Sequence, residues 1–380
     1  MSTTTRGAVL RTAPGRYEIA DLEVDDPGPG EVRVRMAAAG LCHSDDHFAT
    51  GDSRTGILPW AGGHEGAGVV EEVGPDVRDV TVGDHVVFSF LPACGRCRWC
   101  ASGMQNLCDL GRFALAGGRL GGPRSYRMHL DGEPVGQMCG VSTFVERTTV
   151  DARSVVRIDK DVPLDLACLI GCAVCTGWGS AVHTAEAGPG DTVVVVGVGG
   201  IGMNAVQGAR HAGAAHVVAV DPVEWKRDLA LRLGATVAVA TVEEAVESAK
   251  GVTDGQGADS AVVAVGVTRP EHVAAAFAAV RKAGIVVVTG LGDQREIGVP
   301  VSLTELTLFQ KQLRGSLFGA CAPTRDIPRL AQLWRTGAVA LEPLVTRRYA
   351  LDEIDEGYRD LREGRTLRGV LVLDPELVTP

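Results

Sequence analysis

A chain of 380 residues, 45% apolar and 22% charged, has the length of about two domains and a globular composition, which excludes a disordered chain. A formal net charge of −10 with no basic cluster excludes nucleic acid and anionic lipid as expected partners. No apolar run approaches a membrane span and residues 1–10 hold no apolar leader core, so a cytoplasmic chain without membrane contact is expected.

The first 170 residues carry short strand-like runs, 32–36, 68–73 and 85–89, broken by Gly, Pro and Asp. They predict an irregular, mostly antiparallel β domain. Nine of the ten cysteines precede residue 176, at 42, 94, 97, 100, 108, 139, 168, 172 and 175, and the tenth is Cys321. Such crowding speaks for metal ligands rather than disulfides in a cytoplasmic chain.

The first constellation is Gly40-Leu41-Cys42-His43-Ser44-Asp45-Asp46-His47, with Gly62-Gly63-His64-Glu65-Gly66 and Gly171-Cys172 further on. Spacing alone does not assign ligands so far apart, and a lone Cys or His is more often a packed core residue. Two Cys and one His would leave the fourth position of a tetrahedral zinc open to water or substrate.

The second constellation is local. Cys94, Cys97, Cys100 and Cys108 form a C-x2-C-x2-C-x7-C array. Four thiolates on short loops can close a tetrahedral site with no open position, as structural zinc requires. An iron–sulfur cluster uses similar spacings, and a zinc knuckle for nucleic acid is a third reading. The absence of an electron-transfer context favours zinc over the cluster, and the acidic balance disfavours the knuckle.

From Asp191 onward the texture changes. Thr192–Val196 and runs at 217–221, 260–265, 285–289 and 313–317 read as buried strands. Runs at 201–211, 224–233, 271–281 and 303–309 read as helices between them. The alternation predicts a doubly wound parallel sheet. The first strand enters Gly197-Val198-Gly199-Gly200-Ile201-Gly202, a helix follows, and Asp221 ends the next strand. Gly197 permits the turn, Gly199 admits a pyrophosphate, Gly202 lets helix and strand pack, and the helix N-terminus meets the phosphates. A carboxylate at Asp221 favours NAD over NADP, with Lys226 and Arg227 nearby as the counter-indication.

The last sixty residues return to the mixed texture, with a strand expected at 370–374. The fold class is therefore α/β, a parallel nucleotide domain inserted between two parts of a mostly antiparallel one.

These residues resemble the zinc-dependent medium-chain alcohol dehydrogenases, through GLCHSD, GGHEGAG, CGRCRWC, LIGCAVCTGWGSAV, VGVGGIG and LRGVLVLD in the family's order. The resemblance implies a GroES-like catalytic domain at 1–176 and 320–380 and a Rossmann domain at 177–319. It implies catalytic zinc on Cys42, His64 and Cys172, structural zinc on Cys94, Cys97, Cys100 and Cys108, and Glu65 beside the catalytic metal. Asp45 would orient the histidine ligand, and Ser44 and His47 would relay the alcohol proton. NAD would be held by His43, Thr176, Gly197, Gly199, Gly200, Ile201, Gly202, Asp221, Lys226 and Arg368. Phe113, Trp178, Leu291 and Phe318 are candidate liners of the substrate pocket. The remaining Cys139, Cys168, Cys175 and Cys321 read as small buried groups.

The Gly-, Arg- and Met-rich stretch at 111–136 is similar to the bacterial nicotinoprotein-like subgroup assayed with N,N-dimethyl-4-nitrosoaniline. That similarity implies tightly bound, recycled NAD, a redox partner such as mycofactocin, and a 111–136 segment that hinders coenzyme exit; a plain surface loop is the competing expectation. The expected activity is reversible oxidation of a primary or secondary alcohol by a homodimer or homotetramer. A thiol-dependent formaldehyde dehydrogenase and a non-catalytic zinc- and nucleotide-binding protein are the alternatives.

Overall fold

The computed structural model describes residues 2–114, 116–120, 125–293, 295 and 297–378. The chain divides into two compact units. The first comprises Met1–Cys172, Ala322–Gly337 and Leu344–Pro380, the second Ala173–Cys321 with Ala338–Pro343.

In the first unit a closed barrel is formed by Ser2–Leu10, Tyr17–Asp25, Met128–Leu130, Glu133–Gln137 and Trp60–Ala61. A seven-stranded sheet runs in the order Val155–Ile158, His85–Phe88, Glu65–Val73, Glu31–Gly40, Arg368–Val372, Val345–Ala350, with Arg147–Asp151 also paired to Glu31–Gly40. The pairings are antiparallel except Trp60–Ala61 with Glu133–Gln137 and Val345–Ala350 with Arg368–Val372. Val370–Val372 pairs Ala38–Gly40, so residues near both ends of the chain share one sheet. Leu10, Tyr17, Met36, Phe48, Trp60, Phe144 and Tyr358 pack into one core in this unit.

The plain-loop expectation for 111–136 fails over its second half. Residues 115 and 121–124 lie outside the described ones, but the second half forms the two barrel strands Met128–Leu130 and Glu133–Gln137. Met128, Leu130 and Val135 alternate into a buried cluster with Val9, Leu22 and Val24, which makes strand the favourable state there. Arg119 and Arg127 both pair with Glu31, and Arg127 is 1% exposed.

The second unit holds six parallel strands in the order Val237–Val239, His216–Val220, Thr192–Val196, Ala258–Val263, Val280–Val288, Gln312–Gly315. The order reverses at Thr192–Val196, which places a topological switch point at its carboxyl end, where open α/β sheets bind ligands. Helices Gly200–His211, Glu224–Arg232, Val242–Gly251, Pro270–Ala279 and Leu303–Leu308 connect the strands. The sequence reading missed Val237–Val239 and Val242–Gly251. It also carried one helix to residue 281, whereas Val280 is already extended and pairs with Ala258. Among the described residues, no single helix is long and apolar enough to cross a membrane.

Candidate metal and cofactor sites

The four-cysteine loop brings its sulfurs together. Sγ of Cys94, Cys97, Cys100 and Cys108 all lie within 4.8 Å of one another. Four sulfurs about 2.3 Å from a tetrahedral zinc stand about 3.8 Å apart, and Cys94 Sγ lies 3.9 Å from Cys100 Sγ. The loop aims N–H groups at the sulfurs: Cys97 N to Cys94 Sγ at 3.3 Å and Cys100 N to Cys97 Sγ at 3.4 Å. The Cys100 N–H pulls the Cys97 thiol down to about 6, while burial pushes Cys100 up to about 12. An all-thiol, fully supplied donor set fits a closed structural ion.

The distant trio also converges. Ligand atoms of Cys42, His64, Glu65 and Cys172 lie within 4.8 Å of one another, and all four residues are buried. Cys42 caps the helix His43–Thr50, so its sulfur sits at a positive dipole end that favours thiolate. A hydrogen bond with Cys172 holds Cys42 well below the usual thiol range and raises Cys172.

Asp45, in the first turn of that helix, presents Oδ2 2.9 Å from His64 Nδ1, while its Oδ1 accepts the Gly63 N–H at 2.8 Å. Burial lowers the His64 pKa, but the Asp45 carboxylate outweighs it and holds the imidazole well above its ordinary value. Nδ1 engaged in this way leaves Nε2 for an ion, the arrangement ligating histidines ordinarily show. Glu65 pairs with Arg368 through Oε2, and its buried Oε1 has no partner. Burial raises Glu65 to about 7. Two thiols and one imidazole nitrogen fit a divalent ion with an open fourth position, and the unpartnered Glu65 Oε1 lies beside it.

Ser44 and His47 share one face of the His43–Thr50 helix, three residues apart. Ser44 Oγ is 3.6 Å from Cys42 Sγ, and His47 Nδ1 is 3.3 Å from Asp52 Oδ2. His43 opens the helix and is partly exposed. Arg368, 3% exposed, turns onto Glu65 within the first unit.

In the second unit Gly197 takes the left-handed φ of 85° that the turn requires. A Cβ on Gly202 would stand 1.8 Å from Gly197 O, whereas one on Gly199 would meet nothing within 4 Å. The helix Gly200–His211, which contains Ile201, begins there. The Asp221 carboxylate accepts N–H groups from Val198 at 3.1 Å and Val223 at 3.0 Å, which ties the acid to the turn. This open cradle beside a fixed carboxylate fits a dinucleotide. Lys226 Nζ stands 5.7 Å over the Trp225 ring, and Arg227 donates to Asp221 O and Pro222 O. Thr176 is buried and accepts from Ser180 Oγ.

The pocket candidates have different surroundings. Phe113 lies under the Arg112 guanidinium in the first unit. In the second, Trp178 and Phe318 are buried, while Leu291 is exposed. Cys139, Cys168, Cys175 and Cys321 are buried and unbridged. Two residues in contact with the His64 turn, Tyr17 and Thr143, carry no motif that would single them out in the sequence.

Residues 28–160 match the alcohol dehydrogenase GroES-like domain, and residues 200–335 match the zinc-binding dehydrogenase model. The chain is 50% identical over 368 residues to the NDMA-dependent alcohol dehydrogenase of Amycolatopsis methanolica, covering 97% of this chain and 98% of that one. An alcohol dehydrogenase zinc-binding domain protein from Burkholderia ambifaria has a TM-score of 0.91 at 32% identity, covering 98% and 100% of the two chains. The benzyl alcohol dehydrogenase of Acinetobacter calcoaceticus has a TM-score of 0.88 at 29% identity, with the same coverage. Matches on both halves and along nearly the whole length place the chain in the zinc-binding medium-chain alcohol dehydrogenase family, and it is an oxidoreductase of that kind.

Proposed function

We propose that the protein oxidises a primary or secondary alcohol, reversibly, with NAD as hydride acceptor and two zinc ions per chain. The observation that carries this reading is the buried Asp45–His64 pair beside Cys42 and Cys172, because a scaffold has no need of an oriented, incompletely filled ligand set. On this reading Cys42, His64 and Cys172 hold the catalytic ion and the four-cysteine loop holds the structural one. The first unit carries the metal chemistry and the second binds the nucleotide, with Asp221 selecting against a 2′-phosphate.

When bound, zinc would supply Lewis acidity to a substrate oxygen and NAD would supply a hydride acceptor. The chain supplies the rest. Asp45 keeps His64 in one tautomer and one orientation. Ser44 Oγ, beside Cys42, accepts the proton leaving the substrate hydroxyl. His47 hands that proton on towards solvent, its ring steadied by Asp52. On the same reading His43 and Arg368 serve the cofactor, and Arg368 also pairs with Glu65 beside the metal site.

The Amycolatopsis relative, an NDMA-dependent alcohol dehydrogenase, supports use of an artificial acceptor, and a tightly held, recycled NAD is part of this proposal. A cytoplasmic homodimer or homotetramer and a redox partner such as mycofactocin belong to the same proposal. The test is one experiment with three arms. Purified protein is denatured and released nicotinamide measured. An alcohol panel including benzyl alcohol is then run with free NAD or N,N-dimethyl-4-nitrosoaniline. Formaldehyde is run with and without a thiol. Stoichiometric release and turnover with the artificial acceptor support retention. Cofactor-free protein that cycles added NAD rejects retention alone, and thiol-dependent formaldehyde turnover rejects the alcohol assignment.

A further inference from the structure

The turn that carries His64 and Glu65 is seated on another stretch of chain. Phe144 N donates to Gly62 O at 3.1 Å and Thr143 N to Gly63 O at 3.0 Å. Ser142 Oγ donates to Ala61 O at 2.6 Å, and Thr143 Oγ1 donates to Glu65 O at 3.0 Å. Ala61, Gly62, Gly63 and Glu65 are thus each bonded to residues 142–144, and His64 lies between two of these bonded residues.

Thr143 is the centre of this seat. It is fully buried, and it fills the space that two glycines leave. A Cβ on Gly63 would fall 2.5 Å from Thr143 Oγ1, and one on Gly66 would fall 2.6 Å from Thr143 Cγ2. The hydroxyl therefore reaches the carbonyl of Glu65 while the methyl presses on Gly66. Tyr17 closes the other side. Its ring lies where a Gly62 side chain would go, and its hydroxyl donates to Asp45 O at 3.3 Å. The backbone on both flanks of the His64 imidazole is held, and functional groups of this kind need positioning within about 0.5 Å.

We propose that Thr143 is a positioning residue for the reaction, fixing the Gly63–Gly66 turn so that His64 and Glu65 keep their places at the metal site. This rests on the assignment of Cys42, His64 and Cys172 as ligands. Thr143→Val keeps the shape but puts a methyl where the hydroxyl met a carbonyl, so the turn must move by a few tenths of an ångström. Thr143→Ser keeps the hydroxyl and gives up only the methyl.

The test uses the holoenzyme with both ions loaded. Zinc release to a chelator is followed for each centre, and the visible spectrum is recorded after cobalt exchange at the Cys42–His64–Cys172 site. Thr143→Val should release that ion about 10-fold faster or more, the scale seen when a group supporting a metal ligand is lost. It should also alter the cobalt bands and lower kcat, with the four-cysteine ion retained. Thr143→Ser should restore all three readouts towards wild type. If the Val variant does not fold, Thr143→Ala, which introduces no clash, is expected to change in the same direction. A folded Val or Ala variant with wild-type release and spectrum overturns the proposal, as does equal loss of both ions. A wild-type protein that binds no ion on Cys42, His64 and Cys172 instead overturns the ligand assignment beneath it.

Discussion

His64 Nδ1 lies 2.9 Å from Asp45 Oδ2, and the two side chains are 3% and 0% exposed. In so dry a setting a carboxylate this close favours a proton on Nδ1, which would leave the other ring nitrogen for an ion. Asp45→Asn keeps the shape and removes the charge. Affinity at the Cys42–His64–Cys172 site should fall about 10- to 100-fold, with the four-cysteine ion unaffected. Metal analysis after dialysis against a graded chelator checks this. Unchanged retention at both centres would show that Asp45 does not support the ligand.

The glycine turn separates folding from binding. Gly202→Ala forces a methyl to within 1.8 Å of Gly197 O, so the helix must move off the strand. Overpacking of this kind costs about 1–3 kcal/mol or more, and Tm should drop. Gly199→Ala meets no protein atom and should leave Tm unchanged. Its methyl would occupy space needed by a pyrophosphate, so NAD affinity should fall about 10-fold or more, equivalent to about 1.4 kcal/mol. Calorimetry paired with NAD titration distinguishes the two. A Gly199→Ala protein that binds NAD normally would move the phosphates elsewhere.

Local patterns made the second unit readable. The strand Thr192–Val196, its glycine turn and Asp221 lie in one short stretch, and each part needs only its neighbours. Val237–Val239 escaped because three residues give no periodicity. Val242–Gly251 escaped although Thr241 and Glu244 spell a capping box, visible once that pair is sought. The first unit was harder to read because its decisive contacts are remote. Thr143 meets Glu65 across 78 residues, and Arg368 meets Glu65 across 303. No spacing rule reaches that far; the proposed ligand set was legible through resemblance rather than through pattern.

The four-cysteine loop should behave as a folding element. Cys97→Ser removes the thiol that Cys100 N–H favours as thiolate. Structural zinc in small peptides contributes apparent binding energies of about 10–16 kcal/mol at neutral pH, so losing one of four ligands should release this ion first. The expected result is one ion fewer per chain, a lower Tm and early proteolysis within residues 93–113. Stability equal to wild type in a strong chelator would mean that the loop holds its shape without metal.

Glu31 provides the acid-stability prediction. Its Oε1 lies 2.8 Å from Arg127 Nε, and its Oε2 accepts the Gly28 N–H at 3.0 Å and pairs with Arg119. Burial pushes its pKa up, but the Arg127 charge and the hydrogen bonds outweigh that and set it below the ordinary value of 4.5. A depressed folded value means the stabilisation is fully present above the unfolded pKa and is lost as pH falls through the folded one. Glu31→Gln leaves Arg127 charged and 1% exposed without its counter-ion, a change that costs about 3–5 kcal/mol at neutral pH. The gap between wild type and variant should narrow as pH falls through the lowered folded value, because protonation then removes the same charge from the wild type. Urea midpoints at pH 7 and at the lowest pH at which both proteins stay folded read this directly. An equal gap at both pH values would assign the cost to lost packing, and the Glu31–Arg127 charge pair would then not be what ties the Met128–Leu130 strand region to the barrel.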